Sequence, residues 1–319
     1  MSSKNLRNVG LYEILSRVYK LGRKMHPGNS LGTIKLNLQM LGSAVSHRDA
    51  ISRWYGNTNN PLRTRAVARY PLIEGAMYWP YINHQWSVEK RLQVIDQHYH
   101  MLGGAASIIA AATFADLELL RMDAEFSGLH LVLEKAPWFL REGEIVLSIF
   151  VNEHRVYSAA FTLGVEVGRK VAYVGALQGR NIENVMEIYR NMTHAMHGMR
   201  PRDFLMAALK MLLSSIGVEA LWGVCTANQQ HWGKYFAGAH DEKLVADYDA
   251  VWLEHGGTAL GNGFFELQPT VQFKDMADIP TRKRANYRRR YAMLNKLTAD
   301  IAGACDAHSQ PSESLSPSL

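Results

Sequence analysis

A chain of 319 residues with 47% hydrophobic and 20% charged side chains has enough apolar material for a substantial core, which excludes a largely disordered protein. Its formal net charge of +6 is concentrated in two segments, because residues 1–25 sum to +5 and residues 281–296 sum to +7. Such basic segments favour polyanionic partners, so an anionic membrane surface, an acidic protein and nucleic acid all stay open. Two solvated helices that only keep the protein soluble would explain the same charges.

The sequence predicts no secretory signal and no membrane span. Basic residues interrupt the apolar positions of residues 1–25, and the longest uncharged apolar stretch, Met101 to Ala115, is shorter than the roughly 20 residues that cross a bilayer. Two cysteines, Cys225 and Cys305, provide no disulfide framework. We therefore expect a cytoplasmic protein, and peripheral contact with the inner membrane stays open through the basic segments.

Residues 1–110 are predicted to form a helical N-terminal region. Three apolar stripes with helical spacing predict amphipathic helices: Leu6, Val9, Ile14, Val18 and Leu21; then Leu31, Ile34, Leu38 and Leu41; then Val88, Leu92, Ile95 and Tyr99. Each stripe is one face of its helix, the kind of face that packs on a core. Residues 57–61 and 71–80 have the composition of loops.

Residues 111–278 are predicted to hold a mixed, largely antiparallel sheet with helices. Alternating apolar residues and short turns indicate a meander of five strands that ends with Arg169 to Gln178. Helices at residues 181–197 and 202–216 and a strand at residues 219–225 follow. Further on we expect a short helix at residues 229–236 and strands near residues 244–253 and 259–267. A basic helix at residues 279–304 and a disordered tail at residues 305–319 complete the predicted α+β chain.

Several segments resemble the VirK/YbjX family of bacterial proteins, and the resemblance spans nearly the whole chain. They are Arg91 with His98-Tyr99, the run from Gly175 to Gly179, the run from His197 to Leu205, and Cys225 to Asn228. That family is associated with virulence and with tolerance of cationic antimicrobial peptides. The resemblance therefore implies a bacterial protein that supports virulence, envelope integrity and peptide tolerance, and it implies no particular reaction.

The order of the predicted elements resembles a second group, the acyl-CoA-dependent N-acetyltransferase (GNAT) superfamily. There, one strand splays from its neighbour before the main helix, acyl-CoA enters the gap, and amides at the helix start bind the pyrophosphate. The resemblance implies that Val171 to Leu177 is the splayed strand and Arg202 to Ile216 the main helix. The glycine-rich loop that should join them directly is missing, because Gln178-Gly-Arg180 leads into an extra helix. An acyl-CoA or another acyl donor is therefore expected only with an altered donor site.

The segment from His194 to Arg202 is the ligand-binding site that the sequence favours. It places His194 and His197 one helical turn apart and puts Arg200 and Arg202 at the start of the next helix. Guanidinium groups bind carboxylate and phosphate through paired hydrogen bonds, so an anionic small molecule is the expected ligand. Two other interpretations stay open: an interhelical corner whose arginines cap carbonyl groups, and metal ligation by the two histidines with a third.

Further candidates depend on the GNAT resemblance. Gln178 lies where the donor loop should begin, and Asn228 and Tyr235 match the Asn and Tyr that members often place after the next strand. His231 is the candidate catalytic base, because its ordinary pKa lies near neutrality. A solvated surface residue is the alternative interpretation of this histidine.

The sequence leaves two functions in competition. The first is an acyltransferase-like enzyme with an altered CoA site, which holds its anionic ligand at Arg200 and Arg202. The second is a non-enzymatic binding or scaffold protein whose basic ends act on anionic lipid, nucleic acid or an acidic partner. Nucleic acid is the least favoured of these, because no recognised nucleic-acid module accompanies the run from Arg282 to Arg290.

Overall fold

The computed structural model describes residues 7–233 and 247–309. Within these ranges, one eight-stranded sheet is combined with helices that precede and cover it. The predicted α+β class, with a mixed and largely antiparallel sheet, is confirmed. Tyr235 and the end of the helix predicted at residues 229–236 lie outside the described residues, and inside them only a 3-10 turn at Gln230–Trp232 is present.

The N-terminal region is helical, as the apolar stripes predict. Its helices are α1 (Leu11–Met25), α2 (Leu31–Ser46), α3 (Arg48–Gly56), α4 (Pro61–Arg69), α5 (Val88–His100) and α6 (Ser107–Phe114). The helices α3 and α4 were not expected, and part of the predicted loop at residues 71–80 is a 3-10 helix, Pro71–Met77. Helices α1 and α2 are in close contact at Gly22, where a Cβ atom added to the glycine would lie 2.3 Å from Asn37 Oδ1.

Three of the four residues in the predicted apolar stripe of α2 face solvent, and the fourth, Leu41, is partly buried against the core. Leu31, Ile34 and Leu38 are 86%, 45% and 62% exposed. The same helix buries Asn37 and Met40, because these are the positions that face α1. Periodicity shows which residues share a face, and the neighbouring helix decides which face is covered.

The sheet brings together strands from residue 117 to residue 267. They are β1 (Leu117–Arg121), β2 (Leu129–Glu134), β3 (Ile145–Val151), β4 (His154–Glu166), β5 (Arg169–Gly179), β6 (Ala220–Val224), β7 (Thr258–Ala259) and β8 (Phe264–Leu267). Their order is β1-β2-β3-β4-β5-β6-β8-β7, with β5 and β6 parallel and the other neighbours antiparallel. The parallel pair exists because helices connect β5 to β6, as a crossover requires.

The later helices are α7 (Val185–Ala195), α8 (Pro201–Ser215), α9 (Tyr248–Glu254) and α10 (Thr281–Ser309). Helix α9 lies where a strand was expected, so the prediction of a strand near residues 244–253 is wrong. The Asp247 carboxylate caps α9 by accepting a hydrogen bond from the Ala250 N–H at 3.0 Å. Helix α10 continues past residue 304, the expected end of the basic helix.

No helix within residues 7–233 and 247–309 combines the length and apolarity needed to span a bilayer.

The family segment around His98 stabilises the core. Tyr99 Oη donates to Glu144 Oε2 at 2.6 Å, and Lys135 Nζ lies 2.7 Å from the same oxygen. His98 Nδ1 accepts a hydrogen bond from the Leu163 N–H at 3.1 Å, beyond the point where β3 has stopped pairing with β4. Burial lowers the pKa of His98 to about 3, so this histidine is neutral at physiological pH. These side chains lie in the core and not in a cleft.

Candidate functional site

A pocket of about 750 Å³ lies between α7 and the start of α8. Its apolar wall includes Tyr157 of β4 and Met186 and Tyr189 of α7, and the two tyrosine rings are 6.0 Å apart between centroids. Its basic rim consists of Arg190, His194, Arg200 and Arg202. We call this feature the α7–α8 pocket. Its volume is in the range of small-molecule sites, and it combines an apolar surface with a few charged groups, as such sites do.

Two arginines of the rim bind carboxylates of the protein itself. Arg200 Nε lies 2.7 Å from Asp203 Oδ2, and Arg200 Nη2 lies 3.0 Å from Glu254 Oε2. Arg202 forms an ion pair with the same Glu254. Burial works to raise the pKa of Asp203, but hydrogen bonds from His255 and Arg200 hold this pKa well below its ordinary range. An incoming anion at this corner would compete with Glu254, whose side chain is 50% exposed.

Arg190 differs from the other two guanidiniums. It is exposed on α7, one turn before His194, and it forms no ion pair with any residue that the structure describes. Because its charge is not neutralised by a neighbouring carboxylate, Arg190 is the cation of the rim best placed to pair with a ligand.

Side chains of α10 hold the corner between α7 and α8 through hydrogen bonds to a main-chain carbonyl of that corner. His197 adopts a left-handed φ of 53°, which is uncommon for a residue with a side chain. Its carbonyl oxygen accepts hydrogen bonds from Asn286 Nδ2 at 2.8 Å and from Arg290 Nη2 at 2.7 Å. Burial, followed by the charges of Arg289 and Arg290, lowers the pKa of His197. In the described residues, no group of three or more His, Cys, Asp or Glu side chains is arranged to hold a metal ion.

The candidates from the GNAT resemblance lie outside the lining of the α7–α8 pocket. Gln178 is exposed on β5. Asn228 packs against Gly263, where an added Cβ atom would lie 2.7 Å from its Cγ. The ring of His231 contacts that of Trp232 at 4.9 Å between centroids. The structure therefore brings His194, Arg200 and Arg202 together at the pocket. It places Gln178, Asn228 and His231 elsewhere.

Strand β6 stops pairing with β5 where the GNAT resemblance implies a gap. They pair along β5 only from Val171 to Val174, and β5 continues to Gly179 without β6. In the superfamily described above, the corresponding gap admits acyl-CoA.

Helix α9 fills this gap. The buried Tyr248 accepts a hydrogen bond at Oη from the Leu177 N–H at 2.9 Å, and Trp252 Nε1 donates to the Val224 carbonyl at 2.8 Å. Trp252 packs closely on Gly223: a Cβ atom added to the glycine would lie 2.4 Å from Trp252 Cε2. Backbone groups that an acyl donor would meet in the gap are thus already bonded to side chains.

Glu142 is a carboxylate near this gap that the sequence analysis missed. Its Oε1 accepts a hydrogen bond from Gln230 Nε2 at 3.4 Å, and its backbone carbonyl packs on Gly175, where an added Cβ atom would lie 2.1 Å away. Burial raises the pKa of Glu142 to about 7. Nothing in the local sequence distinguishes this glutamate from a surface residue.

We expect Glu142→Gln to reduce the pH dependence of stability. A carboxylate with a raised pKa stabilises the folded state fully below its ordinary pKa, and this contribution is lost as the pH rises through about 7. The wild-type free energy of unfolding should therefore fall by about 2 to 3 kcal/mol between about pH 5 and about pH 8 because of this group. Urea titrations across that range measure the slope, with the exposed Glu153→Gln as control. An unchanged slope in Glu142→Gln would show that this carboxylate is not responsible.

Other residues of the pocket were also missed. Tyr157 reaches it from β4 and Asn286 from α10, and their distance in sequence from His194 hides them from any local pattern. Arg190 offers a weak signal, because it lies one helical turn before His194 in a predicted helix.

A model of the family described as "Protein of unknown function (DUF535)" matches residues 30–303, so the chain belongs to that family. The YbjX protein of Escherichia coli K12, itself described as uncharacterized, is 27% identical over 267 residues, which are 81% of this chain and 78% of YbjX. An uncharacterized protein of Haemophilus influenzae Rd is 33% identical over 150 residues, 47% of this chain and 48% of its own. Membership of the VirK/YbjX family, which the sequence motifs indicated, is confirmed. No solved structure matches the chain.

Proposed function

We propose that this chain binds an anionic, amphipathic small molecule in the α7–α8 pocket and acts as a binding protein. The observation that carries this proposal is the division of the pocket into a tyrosine-lined wall and a basic rim. Burial against Tyr157 and Tyr189 would remove an apolar part of the ligand from water. Arg190 and His194 would pair with its carboxylate or phosphate, and Arg200 would do so after exchanging Glu254 for the ligand.

Acyl transfer is the second candidate. The parallel pair of β5 and β6, and the stretch of β5 beyond Val174 that β6 leaves unpaired, favour it. Against it, Tyr248 and Trp252 occupy the gap in which an acyl donor would have to lie. His231 and Asn228, the residues that the resemblance would use, do not line the α7–α8 pocket. For these reasons we prefer a binding role.

In the cell, we propose that ligand binding supports envelope integrity, virulence and tolerance of cationic antimicrobial peptides, with the protein acting from the cytoplasm. Family membership supports the setting, and the chemistry of the pocket supports the link to the envelope, since membrane lipids and their precursors are anionic amphiphiles. Neither the reaction nor the exact ligand enters this proposal.

A thermal-shift screen tests the proposed ligand class. The panel contains a fatty acid, an anionic lysophospholipid, inorganic phosphate, CoA and a long-chain acyl-CoA. A ligand at about 100 times its dissociation constant should stabilise the protein by about 2.7 kcal/mol, which raises the melting temperature by a few degrees. We expect the anionic amphiphiles to produce this shift and inorganic phosphate to produce a smaller one.

Arg190→Gln should weaken the binding of such an amphiphile by about tenfold or more, since a hydrogen bond to a charged group contributes roughly 1.5 to 3 kcal/mol. Arg53→Gln, an exposed helical arginine that lines a different pocket, is the matched control and should bind as the wild type does. If no amphiphile stabilises the protein, or if Arg190→Gln binds normally, the proposal is wrong. A shift with CoA that Arg190→Gln leaves intact would favour acyl transfer.

A further inference from the structure

The exposed apolar side chains of α2 form one continuous stripe. Leu31, Ile34, Leu38 and Val45 are 86%, 45%, 62% and 49% exposed, and their spacing puts them within one arc of the helix surface. We call these four residues the α2 stripe. Single exposed aliphatic residues are ordinary, but a row of four along one helix leaves apolar surface that a partner would be expected to cover.

Unpaired basic side chains lie on the same two helices as this stripe. Lys35 lies on α2 itself, and Lys20 and Lys24 lie on α1; all three are exposed, and none forms an ion pair with a described residue. Arg23 Nη1 donates to the Gly28 carbonyl at 2.6 Å, which places a further positive charge at the turn that leads into the stripe.

Acidic residues are almost absent from this pair of helices. The sequence of α2 contains no Asp or Glu, and Glu13, the one acid of α1, is bound by Arg17 at 2.7 Å. With an aliphatic row and uncompensated lysines, this helix pair has the composition of helices that lie in the interface of an anionic membrane.

We propose that α1 and α2 dock on the surface of an anionic lipid bilayer, with the α2 stripe inserted at the boundary between headgroups and acyl chains. The lysines contact anionic headgroups, whose negative surface potential attracts them. Tyr12 and Tyr19 of α1, which are 88% and 54% exposed, add amphipathic rings of the kind found at membrane interfaces. A second copy of the chain is a poorer occupant, because it would bring the same positive charges face to face. This proposal does not depend on the α7–α8 pocket.

Co-sedimentation of the full chain with lipid vesicles tests the proposal. The wild type should sediment with phosphatidylglycerol/phosphatidylethanolamine vesicles and not with phosphatidylcholine vesicles, and added salt should weaken the binding. Leu31→Ser with Ile34→Ser and Leu38→Ser should lower the apparent affinity at least tenfold. Replacing Lys20, Lys24 and Lys35 by Gln should lower it by roughly fivefold for each lysine.

Two controls separate this surface from other features. Val167→Asn removes an apolar side chain that is 99% exposed in the turn after β4, and it should leave vesicle binding unchanged. Arg190→Gln should also sediment as the wild type does, so failure of the pocket proposal and failure of this one are distinguishable. The stripe variants should keep the wild-type circular dichroism spectrum, because the substituted side chains are exposed.

Three results would overturn the proposal. The first is a wild type that does not sediment with anionic vesicles. The second is a triple Ser variant that sediments as the wild type does. The third is a dimer in light scattering, or a complex with an acidic protein, that the triple variant abolishes while vesicle binding is absent.

Discussion

Replacing Lys135 by methionine should lower the free energy of unfolding by about 3 to 5 kcal/mol. The side chains of Lys135 and Glu144 are only 2% and 1% exposed, and they lie 2.7 Å apart. Lys135→Met would leave the Glu144 carboxylate as an unpaired charge in the core, and desolvation of such a charge is costly. Hydrogen bonds from Tyr81 and Tyr99 would compensate only in part.

The double variant Lys135→Met with Glu144→Gln separates charge from packing. The amide introduced by Glu144→Gln would be neutral, and its oxygen could accept a hydrogen bond from one tyrosine while its NH2 group donates to the hydroxyl oxygen of the other. The double variant should therefore be more stable than Lys135→Met alone. Lys90→Met, which breaks an ion pair with the partly exposed Glu166, should cost much less, about 1 kcal/mol. Urea denaturation of the wild type and these three variants measures the differences. If the double variant is as unstable as Lys135→Met, lost packing and not an unpaired charge is the cause.

Trp252→Ala should also cost about 3 to 5 kcal/mol, because it empties the space that α9 fills between β5 and β6. Trp252 is fully buried, and its indole N–H is bonded to the Val224 carbonyl. Loss of this anchor should loosen α9, and the Leu177 amide, which donates to Tyr248, should then exchange faster with solvent. Thermal denaturation and amide hydrogen exchange measure the two effects.

Trp138→Ala is the matched control, since this tryptophan is 58% exposed and stacks on Arg155 at the surface. It should cost about 1 kcal/mol or less. Equal losses in the two tryptophan variants, or normal exchange at Leu177 in Trp252→Ala, would show that α9 does not hold this gap closed.

The fold could be predicted where the local pattern and the tertiary structure agree. The alternation of residues 129–163 and their short turns define β2, β3 and β4, because hairpins depend on neighbours in sequence. Helix α9 was misread as part of a strand near residues 244–253, although Asp247 is a readable N-cap. The solvent-facing α2 stripe could not be foreseen, because no local pattern shows which face a distant segment covers.

The basic rim of the candidate site was partly predictable. His194, Arg200 and Arg202 are close in sequence, and a helix–loop–helix corner keeps them close in space. Glu254, the carboxylate partner of the two arginines, lies on α9, which the sequence analysis assigned to a strand. The tyrosine wall depends on the register between β4 and β5, where Tyr157 is paired with Gly179. Such cross-strand register is a tertiary property, and the local sequence does not indicate it.

The hydrogen bonds from Asn286 and Arg290 to the His197 carbonyl have a consequence for the order of events during synthesis. Every strand of the sheet, together with α7 and α8, is encoded before residue 268, so these elements can assemble while α10 is still being made. The corner of the pocket then lacks the donors that hold its left-handed turn. The geometry of this corner can therefore be completed only after Asn286 and Arg290 have been synthesised.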